Sequence, residues 1–227
     1  MGAILDLEEL PITDSIELLR DRMLNGSVPL HLEPHAGADI VARTRTADLG
    51  CVRLLSTRSH GADIVRTRRL ARDSTLPSLM VSVVDHGIGR VLRGERAVEL
   101  HPGEIGLYVS DQPYRLEFTS GALRHTYQVP LDELGLPRQL IADQLDISIH
   151  PDSATTAGVS AFLRSTARNA PSATVAEQAA LQRPTLELIR FLGNAEPLID
   201  SFPYPARQAG SFMMVSNSMG VNFPSLR

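Results

Sequence analysis

From residue 40 to residue 130, apolar and polar side chains alternate in short runs, the two-residue period of half-buried strands. The runs fall at 40–45, 49–56, 62–71, 79–86, 89–92, 96–100, 104–110, 114–119 and 123–129, with Gly, Asp, Ser and Pro between them. Many short strands with regular turn signals predict a sandwich or a barrel, and closure removes the edges that one long sheet would expose. The Gly-x-Gly within 85–90 belongs to a hairpin turn and precedes no helix, so it does not signal a dinucleotide site.

Outside that block the period changes. Thr13-Asp14 opens a short helix, with Glu17 completing a capping box, Ile16, Leu19 and Met23 on one stripe, and Asn25-Gly26 as its stop. An irregular arm with Pro29, Pro34 and Gly37 follows. After Pro130, Val159, Phe162, Leu163 and Thr166 form one helical face, and Thr174 with Glu177 caps a second helix carrying Leu181, Leu188 and Leu192. Pro184 predicts a kink or a fresh start there. The expected division is a helix and arm over 1–39, a strand-rich body over 40–150, helices over 151–194 and a loosely ordered tail over 195–227.

Composition narrows the class. The chain of 227 residues has 43% apolar residues, no run long enough for a membrane span, and an acidic start without a signal-peptide pattern, so a cytoplasmic protein is expected. Cys51 is the sole cysteine and is read as a buried thiol in an apolar strand. All 22 basic side chains are Arg, and the formal charge of −4 speaks against a nucleic-acid-binding face. The one cluster of bases, Arg66, Arg68, Arg69 and Arg72, is expected on a solvated wall, paired with Asp63, Asp73 and Glu117.

The segment GERAVELHPGEIGLYVSDQPYRLEF at 94–118 resembles the Pro-Gly turn, apolar strand and Pro-Tyr turn of the N-terminal sensing domain of AraC-type transcription regulators. VRTRRLARD, LMVSVVDHGIGRVLRGERAVEL and TYQVPLDELGLP are similar to its other strands in order and spacing. The acid that usually follows Tyr108 and the Arg that usually precedes Pro113 are both absent, and Leu131 stands where the family has Arg. The resemblance implies an α+β chain: a cupin-like antiparallel β-barrel, then a helical pair that dimerises through Leu181, Leu188 and Leu192. It implies a small-molecule effector and a homodimer. Residues 195–227 lack the pattern of a helix-turn-helix, so the chain reads as truncated before its DNA-binding domain and is not expected to bind DNA alone.

Chemistry is sparse. None of the seven histidines forms His-x-His, so no metal centre, cofactor or catalytic residue is assigned. Ser56 with His60, and Asp85 with His86, are ordinary strand-end residues. Arg53, Met80, Ser82, Tyr108, His125 and Tyr127 form a mixed set suited to lining a cavity. The alternative is that Tyr108 and Tyr127 are core residues with satisfied hydroxyls, and the pattern leaves open which strand face points inward. A small cupin-like enzyme and a dimerisation module without ligand are the rival functions.

Overall fold

The computed structural model describes residues 4–6, 28–72, 76–143, 145 and 147–194. The helix expected over 13–25 and the tail over 195–227 lie outside them. The described elements run β1 (Ile4–Asp6), β2 (His31–Pro34), β3 (Val41–Leu49), β4 (Val52–His60), β5 (Ala62–Arg66), α1 (Arg68–Arg72), β6 (Ser78–His86), β7 (Gly89–Arg93), β8 (Arg96–Leu100) and β9 (Ile105–Val109). There follow β10 (Tyr114–Phe118), β11 (Ala122–Pro130), α2 (Leu131–Leu134), α3 (Arg138–Asp143), β12 (Ser148–Ile149), α4 (Ala154–Asn169), a 3-10 turn (Ala170–Ser172), α5 (Val175–Ala180) and α6 (Gln182–Asn194).

The expected antiparallel α+β architecture is present, with its strands in two facing sheets of a jelly-roll rather than one closed barrel. A seven-stranded sheet has the order β1-β3-β4-β11-β6-β9-β12, and a five-stranded sheet the order β2-β5-β10-β7-β8. Two hydrophobic clusters follow from the strand period, because alternate residues of the large sheet face opposite sides. Met80, Val84 and Tyr108 turn towards Ile64, Val91, Leu100, Tyr114 and Leu116 of the small sheet. Leu79, Val81, Val83, Ile105, Leu107 and Tyr127 turn the other way, onto Val159 and Leu163 of α4 and Leu186, Ile189 and Leu192 of α6. A β-bulge in β6 leaves Asp85 unpaired between the partners of Leu123 and Arg124 and adjusts the register of β6 on β11.

Several local expectations are corrected. The strand break expected at 46–48 lies at Gly50-Cys51, where Gly50 takes a φ of +66° that L side chains rarely adopt. A side chain at Gly50 would also collide with Gln182 of α6. Cys51 therefore sits in a turn, half-buried, with its Sγ accepting from Gln182 Nε2 at 3.3 Å. The strand expected over 62–71 ends at Arg66 and gives way to α1, where Thr67 Oγ1 accepts from the Leu70 amide. The arm contains β2, an edge strand ending at Pro34, as a residue without an amide donor permits. Pro184 sits in the first turn of α6, a fresh start after α5, where its missing N–H costs nothing. The Thr174–Glu177 capping box forms as expected.

Candidate ligand-binding site

The inner face of the large sheet is unusually polar. Along β11 it presents Arg124, Thr126 and Gln128, with Met80 and Ser82 of β6 and Tyr108 of β9 beside them. Across from these, register places Tyr114 of β10 directly opposite Arg66 of β5. Arg66 is 1% exposed and Arg124 7%. A buried guanidinium normally meets a carboxylate, because desolvation of an unpaired charge costs several kcal/mol. Neither has one within ion-pair distance among the described residues. Arg66 donates to the backbone oxygens of Pro29 and Ser110, and its Nη2 has no partner. Asp111, the acid whose field Arg66 feels, is paired with Arg138 at 3.4 Å. Arg124 stacks on Phe118 with its guanidinium carbon 4.1 Å from the ring centroid, and makes one long contact, 3.5 Å, to Ser59 Oγ.

Two tyrosines complete the cluster. Tyr108 and Tyr114 pack edge-to-face with ring centroids 4.7 Å apart. Ser82 and Thr126 flank the Tyr108 hydroxyl, while the Tyr114 hydroxyl is buried without a hydrogen-bond partner. Burial raises both phenol pKa values and lowers those of both guanidinium groups, Arg124 to about 10. The interior between the sheets thus holds positive charge and phenol donors with no carboxylate at ion-pair distance among the described residues.

Of the expected cavity residues, Met80, Ser82 and Tyr108 face the space between the sheets, and Arg53 stands on the same strand face, half-exposed and paired with Asp48 at 3.6 Å. His125 and Tyr127 do not: they lie on the opposite face, under the helices. Tyr127 is fully buried and donates from its hydroxyl to the Leu163 carbonyl of α4, as the core alternative held. His125 Nδ1 lies 3.0 Å from Ser56 Oγ, and that hydroxyl donates onward to the Ala167 carbonyl. Beside them Asp85 takes Arg164 Nε at 2.7 Å and Arg168 Nε at 2.9 Å, binding β6 to α4. Desolvation pushes the Asp85 carboxyl up, but the hydrogen bonds and charges of Arg168 and Arg164 outweigh it and leave it far below the usual range. Desolvation likewise lowers His125, against the pull of Asp85.

Sequence reasoning missed Arg66, Arg124 and Tyr114. The expected place of Arg66 on a solvated wall with Asp63 is corrected: Asp63 is held by Arg115 at 2.8 Å, and Arg66 is buried between the sheets. The available signal was Arg124 itself, on the strand face opposite His125 and Tyr127.

This architecture has relatives. The sequence pattern of the AraC-binding-like domain matches residues 19–192. The chain belongs to that family. In fold, it is similar to the crystal structure of the AraC-like transcriptional activator CuxR, with a TM-score of 0.73, 15% identity, and coverage of 86% of this chain and 71% of that one. A cupin 2 conserved barrel domain protein from Rhodopseudomonas palustris overlaps 51% of this chain and 90% of its own at a TM-score of 0.28 and 15% identity. An uncharacterized protein in the nit 5'region of Bacillus sp. (strain OxB-1) is 25% identical over 133 residues, 57% of this chain, which spans half the length of that relative. Among the described residues of this AraC-binding-like domain, no group of three or more His, Cys, Asp or Glu is placed to share a metal. None of the described helices is long and apolar enough to cross a membrane.

Of the expected dimer stripe, Leu192 is fully buried in the chain's own core, and Leu181 and Leu188 are partly buried against it. Val175 and Phe191 remain as the large apolar side chains that these helices expose, at 71% and 39%.

Proposed function

We propose that this AraC-binding-like domain is the effector-sensing and dimerising part of a cytoplasmic transcription regulator, and that its effector binds between the two sheets. The observation that carries this reading is the pair of buried arginines, Arg66 and Arg124, with no carboxylate in reach among the described residues. A ligand acceptor, a carboxylate being the simplest, would meet Arg66 Nη2, the Tyr114 hydroxyl and the Arg124 guanidinium, all poorly served now. Tyr108 and Met80 supply the apolar wall on which its body packs. No reaction is proposed for the site.

The test is a panel of small carboxylic acids beside their amides, read by melting temperature. A ligand at about a hundred times its Kd stabilises the native state by about 2.7 kcal/mol. At least one acid is expected to raise the melting temperature and its amide is not. In Arg124→Met the rise disappears, while the unliganded protein stays within about 1 kcal/mol of wild type, since a desolvated charge and a cation–π contact are removed together. No response to any acid, or an equal response in Arg124→Met, counts against the reading.

Dimerisation is proposed through the exposed side of α6, where Pro184, Leu188 and Phe191 share one face. Phe191→Glu is expected to convert the dimer to a monomer in sedimentation, with the fold retained in circular dichroism because the side chain is partly exposed. A wild-type monomer at micromolar concentration would refute this part.

A further inference from the structure

The helix side of the large sheet carries a separate concavity. It has a volume of about 310 Å3 and is lined by Arg43, Arg45, Arg58 and Arg168, with Ser56 and His125 among its other walls and no carboxylate. The strand register makes this concentration of charge unavoidable. Arg43 and Arg58 are direct partners across β3 and β4, and Arg45 stands opposite Ser56, all on the face that meets α4. Like charges directly opposite each other in an antiparallel pair repel. Arg168 is committed to Asp85, and Arg43 is engaged in an interaction of its own. Arg45 and Arg58 are therefore the guanidinium groups left, each exposed and without an ion-pair partner among the described residues.

The pocket wall is also incomplete in a second respect. His125 is 1% exposed. Nδ1 of His125 is taken up by Ser56 Oγ, which also lies against the Ala167 carbonyl. Nε2 is then left buried without a hydrogen-bond partner, 3.5 Å from Asp85 Oδ2.

We propose that this pocket binds the phosphate group of a small phosphorylated molecule, at a site distinct from the effector chamber. Guanidinium forks match phosphate oxygens in a bidentate way, and Arg45 and Arg58 supply two of them from neighbouring strands. A volume near the lower end of ordinary ligand pockets admits more than a bare phosphate, leaving room for a small organic remainder against Leu123 and Ala167. The occupant would touch both the large sheet and the C-terminal end of α4, the contact that also carries the Asp85 clamp.

The experiment uses inorganic pyrophosphate titrated calorimetrically into the full chain at low and at near-physiological salt. Binding is expected, weakening as salt rises because exposed charges carry it. The Arg45→Gln/Arg58→Gln double variant should lose at least about tenfold in affinity, with a melting temperature no lower than that of wild type, because both side chains are exposed and the Arg43–Arg58 repulsion is relieved. Arg124→Met, in the chamber between the sheets, should bind pyrophosphate as wild type does. Absence of binding at millimolar pyrophosphate overturns the proposal, as does full binding by the double variant. Loss of binding in Arg124→Met alone assigns the anion to the other chamber and overturns it too.

Discussion

Leu163→Ala is expected to destabilise the protein by about 3–4 kcal/mol, within the range for emptying a buried leucine site. Leu163 is fully buried in the cluster where α4 lies on the large sheet. The position is inside a helix, and alanine is the best helix former, so the loss comes from packing rather than from the backbone. The neighbours cannot readily collapse into the space, because the Tyr127 hydroxyl is fixed on the Leu163 carbonyl and keeps sheet and helix at a set separation. Urea unfolding should show a lower midpoint with an unchanged slope. A loss below about 1 kcal/mol would mean that α4 is not docked as described.

Asp85→Asn should cost about 2–3 kcal/mol at neutral pH, a value kept modest because Arg168 is half-exposed. Its sign with pH is definite. The folded-state carboxyl lies below its unfolded value, so its contribution is fully present above about pH 4–5 and is lost as pH falls towards the folded value. The variant lacks that acid loss. His125 works over a higher range: burial lowers its pKa, so the stability of the neutral ring declines as pH falls below about 6.5. Asp85 moderates that decline by favouring the imidazolium, and Arg164 and Arg168 oppose it. Asp85→Asn should therefore fall more steeply than wild type between about pH 6.5 and 5, and less steeply below about 4. Parallel stability curves for the two proteins across this whole range would refute the account.

The strand period was legible because it repeats, and it sorted Leu79, Val81 and Val83 from Met80, Ser82 and Val84 correctly. It could not say which set faced the second sheet, since both faces of β6 are buried, one by strands and one by helices. Choosing a cavity set from residue type alone therefore mixed the two compartments, joining His125 and Tyr127 to Tyr108. Arg66 escaped for a related reason. Alternation marks a face, but whether an arginine on it meets water or a second sheet depends on pairing far along the chain, here with Tyr114. Of the leucine stripe on the last helices, Leu192 is spent on the chain's own core, while Leu181 and Leu188 are only partly buried.

Strand β11 is one wall shared by two rooms. Arg124 faces one and His125 the other by the unbroken alternation of β11, while the bulge lies on β6, where Asp85 is the residue without a partner across from Leu123 and Arg124. The same adjacency makes the wall a direct mechanical link. Successive Cα atoms are about 3.8 Å apart and joined by stiff bonds, so a ligand that shifts the β11 backbone at Arg124 carries His125 with it, and with it the Ser56 contact to α4, without any relay of intervening side chains.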